Sequence, residues 1–375
     1  MRVLVTGGAG FIGGHLVQRF VADGFRVRVL DSLDPKIHPH GKPSYLPPEV
    51  EFMHGDVTDR DTLLQALKNV DIVSHQAAYQ DYMPDFSRFL HVNAVATALL
   101  FELVVNERLK VKKMIVASSQ SVYGEGQYEC AEHQTFLPSP RCTNQLSEGK
   151  WEVECPRCGR NGVSLPLREE HNNPYNQYAV SKLAQEKTAL GLGWLHEIPT
   201  VALRYSITQG PRQSLFNHYS GICRIFVSRA KRGEPLLIYE DGKQTRDFVH
   251  VQDVVDANML VLESDRANFQ AFNVGSGQPI SVLEYFGAVR DKIGPHVIGH
   301  VSGEYRKGDN RHSVSCVEKL QAIGWEPRRN LSTILDDFLE WVEDIGGIPE
   351  PLSDAHFDMK QAGVVLSSAN LQTSV

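Results

Sequence analysis

The chain has 375 residues, of which 42% are hydrophobic and 22% charged, and a formal net charge of -7. That length exceeds one small core and suits two lobes, and an acidic balance without a sustained basic run argues against a nucleic-acid binder. No basic and then apolar leader follows Met1, and no apolar run comes near the ~20 residues of a bilayer span, so a cytoplasmic chain without signal peptide or membrane span is expected.

Val3–Val5, Arg26–Leu30, Glu51–Met53, Ile72–His75 and Met114–Ala117 are short β-branched runs bounded by turn or charged residues, and predict strands. Between them, His15–Ala22, Thr62–Leu67 and Val92–Arg108 space their apolar residues as helices do. This alternation predicts an α/β fold with a doubly wound parallel (Rossmann) sheet. Residues 125–170 break the pattern with Pro, Gly, Cys and charges, and read as a Cys-rich insertion in a connecting loop. Asn173-Pro174 offers a cap and a first helical residue for the next helix. Further strands are expected at Val201–Arg204, Leu236–Tyr239 and Phe272–Val274, and helices at Ser220–Arg232, Val254–Leu262 and Leu331–Ile345. The expected division is a dinucleotide-binding domain over 1–204, to which 247–275 return. A smaller substrate lobe follows from 205–246 and 276–350, with a flexible tail over 351–375.

The first strand runs into Gly7-Gly8-Ala9-Gly10-Phe11-Ile12-Gly13 and then a helix. Gly7 permits a tight turn, Gly10 lets backbone approach a pyrophosphate, and Gly13 lets helix pack close to strand. The helix N-terminus presents unpaired N–H groups to phosphate. Asp31, ending the second strand, stands where an acidic residue binds the adenosine ribose; its charge repels a 2'-phosphate and favours NAD over NADP. Asp56 and Val57, after the third strand, are placed to touch the adenine, although an isolated Asp there is more often a turn residue.

Tyr178 and Lys182 lie at i and i+4, which places phenol and ammonium on one helix face. A nearby ammonium favours phenolate, as a general base on a sugar hydroxyl requires. The spacing alone is common on helices. Ser118-Ser119-Gln120-Ser121 follows a strand at the carboxyl end of the sheet, where such folds place their chemistry.

Together these segments resemble the extended short-chain dehydrogenases/reductases, in their nucleotide-sugar epimerase and dehydratase branch. Besides the pieces above, His75-Gln76-Ala77-Ala78, Asn93, Leu203-Arg204-Tyr205, Gly210-Pro211-Arg212-Gln213 and Thr245–Val251 follow in family order. Phe272–Gly275, Arg306-Lys307-Gly308-Asp309 and Gly324-Trp325-Glu326-Pro327 complete the series. The resemblance implies Tyr178 as base, Lys182 on the nicotinamide ribose and Ser119 orienting the substrate hydroxyl. It implies Ala77 and Asn93 at the cofactor, Ser121 at the sugar, and Arg246 and Arg306 near a nucleotide diphosphate. A nucleotide-diphosphate sugar is therefore the expected partner, and a homodimer through the helices Val92–Arg108 and Pro174–His196 the expected assembly. Two departures stand out. Where 4,6-dehydratases carry an acidic pair after the catalytic hydroxyl, this chain has Gln120 and Ser121, which points to 4-epimerisation. Where many relatives carry Phe-Asn after Arg-Tyr, it has Ser206-Ile207. The competing readings are a nucleotide-sugar reductase or dehydrogenase, and a non-catalytic NAD-binding regulator.

Four of the six cysteines lie between Cys130 and Cys158. Cys130-Ala-Glu-His133 and Cys155-Pro-Arg-Cys158-Gly159 are two short-spaced ligand pairs that can close a tetrahedral structural zinc site, with Cys142 an alternative to His133. The alternative is a set of unliganded thiols, over which the Cys-Pro-x-Cys-Gly turn, a typical zinc knuckle, favours the metal. Within the family, similar inserts occur in epimerases that convert dTDP-L-rhamnose to dTDP-6-deoxy-L-talose, which makes that the expected reaction.

Overall fold

A computed structural model of the protein describes residues 1–216, 221–349, 355–369 and 373–374. Its centre is a sheet of seven strands: β1 (Arg2–Thr6), β2 (Arg26–Asp31), β3 (Glu51–His54), β4 (Ile72–His75), β5 (Lys113–Ser119), β6 (Thr200–Tyr205) and β7 (Gln270–Val274). They run parallel in the order β7-β6-β5-β4-β1-β2-β3. The order reverses between β1 and β4, and a ligand crevice opens outside the carboxyl ends of the strands at such a point.

Helices α1 (Phe11–Ala22), α2 (Arg60–Leu67), α3 (Phe86–Asn106), α4 (Gln177–Leu195) and α5 (Val251–Glu263) cover both faces. Successive strand residues point to opposite faces. Leu4, Val73 and Met114 pack with Leu63, Phe101 and Ala189 of α2, α3 and α4. Val3, Val5 and Val29 pack with Leu16, Phe20 and Val255 of α1 and α5. Burial on both sides explains the continuous apolar runs of β1 and β5, whereas β3 at the sheet edge has no fully buried residue.

Helices α1, α2 and α5 begin two to four residues before their expected starts, and the starts of α3 and α4 differ as well. Helix α3 begins at Phe86 and includes a π-helical turn over Leu90–Val95. Its 21 residues reach the length and apolar character of a membrane span, contrary to the sequence expectation. Leu100, Phe101, Leu103 and Val104 nevertheless lie in the sheet core, and the helix serves as a core element. Helix α4 starts at Gln177, after Asn176, whose side chain accepts a hydrogen bond from the Ala179 N–H (2.8 Å). The Asn173 side chain instead donates to the Pro138 carbonyl (3.3 Å), so Asn173-Pro174 is not the cap.

The second lobe has its own core, where Phe226, Phe248, Tyr285, Phe286 and Phe338 pack together. Its helices are Gly221–Lys231, Val282–Ile293 and Leu331–Asp344; Ser220, expected to open the first, lies outside the described residues. The insertion folds as an antiparallel sheet of Tyr128–Cys130, Gln134–Phe136 and Val163–Ser164 with a short helix, Thr143–Ser147. The expectation of a flexible tail is corrected for its described part. Ala355–Gln361 forms a helix, and Val365–Ser367 pairs antiparallel with Glu304–Arg306. Backbone pairing and the contacts of His356 and Lys360 with Glu304 tie that segment to the lobe.

Candidate active site

One cavity of about 830 Å³ runs along the carboxyl ends of the strands and between the two lobes. It is lined at one end by Gly7, Gly10, Phe11, Ile12, Gly13, Asp31, Asp56, Val57 and Ala77. Ser119, Ser121, Tyr178 and Lys182 line its middle, and Arg246 and Arg306 the lobe opposite.

The cofactor end is shaped by glycine. Gly7 has φ +68°, and a Cβ on it would come within 2.7 Å of the Ala77 backbone nitrogen. A Cβ on Gly13 would lie 2.1 Å from the Gly7 carbonyl oxygen, so helix and loop approach only because no side chain intervenes. The Asp31 carboxylate accepts from the N–H groups of Ala9 and Leu33 (both 2.9 Å), which fixes its orientation beside the loop. Asp56 accepts from the N–H and hydroxyl of Thr58 (both 2.8 Å) and still lines the cavity. A phosphate-binding turn, an open helix N-terminus and a fixed carboxylate are the parts that a dinucleotide requires.

Asn93 is the exception among the expected cofactor residues, because it does not line the cavity. It is fully buried, donates to the Tyr79 carbonyl (3.0 Å) and Ser181 hydroxyl (2.9 Å), and accepts from the Tyr79 N–H (2.7 Å). Its amide therefore locks the loop after β4 to α3 and α4 (the loop itself reaches the cavity).

Tyr178 and Lys182 project from α4 beneath the end of β5, and the phenol hydrogen-bonds Ser119. Burial pushes the phenol up to about 12, with the Ser119 hydrogen bond opposing it. Burial brings the Lys182 ammonium down to about 7. Lys182 donates to the Ala117 carbonyl (2.6 Å) and the Gln185 side chain (2.7 Å). The expected acidifying effect of the lysine on the phenol is therefore not what dominates in this arrangement; desolvation does. Ser119 also accepts from the Ser121 N–H (3.1 Å), which closes the turn. The Ser121 hydroxyl is buried with no hydrogen-bond partner among the described residues, leaving a polar group at the cavity wall.

The opposite wall holds two guanidinium groups. Arg246 donates to the carbonyls of Thr245 (3.0 Å), Asn310 (2.8 Å) and Arg311 (3.1 Å). Arg306 lies over the rings of Tyr82 (4.8 Å) and Tyr239 (5.1 Å) and donates to the Tyr82 hydroxyl (2.9 Å). Those tyrosines escaped the sequence reading, since nothing local marks an aromatic residue as an arginine clamp. Ser206, which replaces the familiar amide-containing pair together with Ile207, donates to Asp247 (3.2 Å) and meets the Ser315 hydroxyl (2.8 Å).

Away from the cavity, Cys130, His133, Cys155 and Cys158 bring their ligand atoms within 4.8 Å of one another. Cys130 Sγ is 3.7 Å from both His133 Nδ1 and Cys158 Sγ, and Cys155 Sγ is 3.6 Å from His133 Nδ1. Cys142 is exposed and outside this cluster.

Comparison with known proteins agrees with this geometry. The family model described as "NAD dependent epimerase/dehydratase family" matches residues 3–144 and 159–275. A dTDP-L-rhamnose 4-epimerase of Burkholderia thailandensis is 33% identical over 91% of this chain and 94% of its own length. A putative UDP-glucose 4-epimerase of Methanocaldococcus jannaschii is 28% identical over 91% of this chain and 98% of its own. Among solved structures, a UDP-glucose 4-epimerase of Thermotoga maritima with UDP-glucose superposes with a TM-score of 0.75 at 26% identity, covering 92% of this chain and 99% of that one. A Thermus thermophilus UDP-glucose 4-epimerase in complex with NAD gives 0.72 at 29% identity, with coverage of 92% and 99%. With its parallel seven-stranded sheet, its phosphate turn and its Ser-Tyr-Lys set, the chain belongs to the NAD dependent epimerase/dehydratase family, within the extended short-chain dehydrogenases/reductases.

Proposed function

We propose that this NAD-dependent nucleotide-sugar 4-epimerase inverts C4 of dTDP-L-rhamnose to give dTDP-6-deoxy-L-talose. The observation that carries inversion over elimination is the turn after Ser119. Gln120 and Ser121 stand there, and neither is a carboxylic acid that could protonate a leaving hydroxyl. The Burkholderia relative supports the sugar and its nucleotide.

The Gly7–Gly13 loop and Asp31 would hold NAD, which when bound would supply the hydride acceptor, and then the donor, for C4. Tyr178 takes the C4 hydroxyl proton as phenolate, and Ser119, hydrogen-bonded to it, orients that hydroxyl. Lys182, one helical turn on, provides donors for the nicotinamide ribose, while the Ser119 hydrogen bond is what favours the phenolate against burial. The 4-keto sugar then presents its other face, and Tyr178 returns the proton. Arg246 and Arg306 hold the diphosphate, for which a guanidinium fork is well shaped.

The Cys130, His133, Cys155 and Cys158 cluster is read as a structural zinc site. With Zn–S near 2.3 Å and Zn–N near 2.0 Å, tetrahedral ligands lie roughly 3.5–3.8 Å apart. The 3.6 and 3.7 Å separations here fit that shape. The four side chains would close the coordination sphere with no open position, so the metal takes no part in the chemistry. Phe86, Leu90 and Val95 on α3 and Val180 on α4 are exposed apolar side chains, which supports a homodimer through these helices.

The test is turnover of a panel that includes dTDP-L-rhamnose and UDP-glucose, with NMR of the products. A C4 epimer formed from dTDP-L-rhamnose at constant NADH is the expected result. Net cofactor consumption would move the assignment to a reductase or dehydrogenase. Turnover of UDP-glucose alone would overturn the proposed substrate.

A further inference from the structure

The insertion packs against the strand and loop that carry the two cavity arginines. Arg141 and Glu125, from the insertion, have side chains only 2% exposed and pair at 3.0 Å. Arg141 also pairs with Glu240 of the second lobe (2.9 Å) and donates to the Asp309 carbonyl (2.8 Å). Glu125 accepts from the Arg311 N–H (2.7 Å). The Arg311 side chain, fully buried, is held by Glu152 of the insertion (2.6 Å) as well as by Glu240 and Asp241. Residues 309–311 are thus gripped from the insertion side, while the carbonyls of Asn310 and Arg311 grip Arg246 from the other. Trp151 packs on Tyr305, next to Arg306, at 6.0 Å between ring centroids.

The metal-ligand cluster fixes this same strip of chain. Trp151 and Glu152 lead directly into Cys155, whose N–H donates to the Arg160 carbonyl (2.8 Å), while the Gly162 N–H donates to the Val153 carbonyl (2.8 Å). Cys130, five residues after the buried Glu125, ends the strand that opens at Tyr128. A metal that closes the cluster therefore immobilises both attachments of the insertion to the arginine loop.

We infer that the Cys-rich insertion is a metal-dependent buttress of the nucleotide-diphosphate site: with the metal bound, it holds Arg246 and Arg306 in place and so sets nucleotide affinity, and it leaves the cofactor end untouched. The inference rests on the reading of the cavity as a nucleotide-sugar site. Glu152 and Arg141 are positioning residues in this scheme, acting through Arg311 and the 309–311 backbone. Coupling between the two sites is reciprocal, so a nucleotide must also tighten the metal.

The experiment uses the full-length protein, with zinc content measured by elemental analysis and Kd values for dTDP, UDP and NAD measured by calorimetry. Removal of zinc, by chelation or by Cys155→Ser, should weaken the better-bound nucleotide about tenfold, within the usual range of coupling, and change NAD binding less than about twofold. Saturating nucleotide should raise zinc affinity by the same factor. Glu152→Gln, which leaves the metal ligands intact, should raise KM at unchanged kcat and full zinc content. Unchanged nucleotide affinity after zinc loss would overturn the inference, as would equal loss of nucleotide and NAD. If Cys155→Ser does not fold, a Glu152→Gln protein with unaltered KM would overturn it. Wild-type protein that binds neither nucleotide would overturn the nucleotide-sugar reading, and the inference with it.

Discussion

Replacing Glu186 by Gln removes one charge from a fully buried pair behind the catalytic turn. Arg204 and Glu186 side chains are each 1% exposed, joined by Nη2 to Oε1 (2.7 Å) and Nε to Oε2 (2.9 Å). Ser118, beside Ser119, donates to the same carboxylate (2.7 Å), and Arg204 donates to the Tyr123 hydroxyl (2.8 Å). Loss of one member leaves the other charge buried and uncompensated, at a cost of ~3–5 kcal/mol. The Gln amide retains one acceptor oxygen, so the lower end, ~3 kcal/mol, is expected for Glu186→Gln. Equilibrium urea unfolding, read as a midpoint shift at constant slope, measures it. The double replacement Arg204→Met with Glu186→Leu should recover much of the loss, because both desolvation costs vanish together. A loss under ~1 kcal/mol for Glu186→Gln would refute the reasoning, since it would mean that water reaches the guanidinium.

Gly13→Ala places a Cβ 2.1 Å from the Gly7 carbonyl and should abolish NAD binding in a calorimetric titration while the second lobe still unfolds cooperatively. Burial holds Lys182 at about 7 in the folded chain, against 10.5 as the reference value, so between those values the unfolded chain binds the extra proton and stability rises with pH. Wild type should therefore gain ~2 kcal/mol relative to Lys182→Met from pH 7 to pH 9, and equal slopes would contradict that burial. Tyr178→Phe should lower kcat by at least ~10²-fold while leaving NAD affinity within a few-fold, as read by steady-state kinetics and titration.

The sheet and the cofactor loop were legible because both depend on local signals. The central strands, buried on both faces, are largely apolar, and the Gly7–Gly13 turn admits few other residues. The position of Asn93 in a motif does not reveal where its amide points, and the π-helical turn at Leu90–Val95 packs it inward. Asn173-Pro174 imitates a helix start, yet Asn176 wins because its side chain reaches the Ala179 N–H. The fold of the C-terminal segment and the buried network of Arg141, Glu240 and Arg311 were hidden for another reason. Their partners lie far apart in sequence, 99 residues for Arg141 with Glu240 and 159 for Arg311 with Glu152. Periodicity cannot announce such pairings. The convergence of Cys130, Cys155 and Cys158 is legible because two short ligand spacings need only one turn each, but the choice of His133 over Cys142 is not, since spacing alone leaves both open.

The central claim is that C4 loses and regains the same hydrogen within one site. Its most direct test is turnover of dTDP-L-rhamnose carrying deuterium at C4, with the product examined by NMR and mass spectrometry. The account predicts an inverted C4 that retains the deuterium, with no accumulation of NADH. Replacement of that deuterium by solvent hydrogen during inversion would contradict it, because a carbon acid rather than a hydride would then have been exchanged.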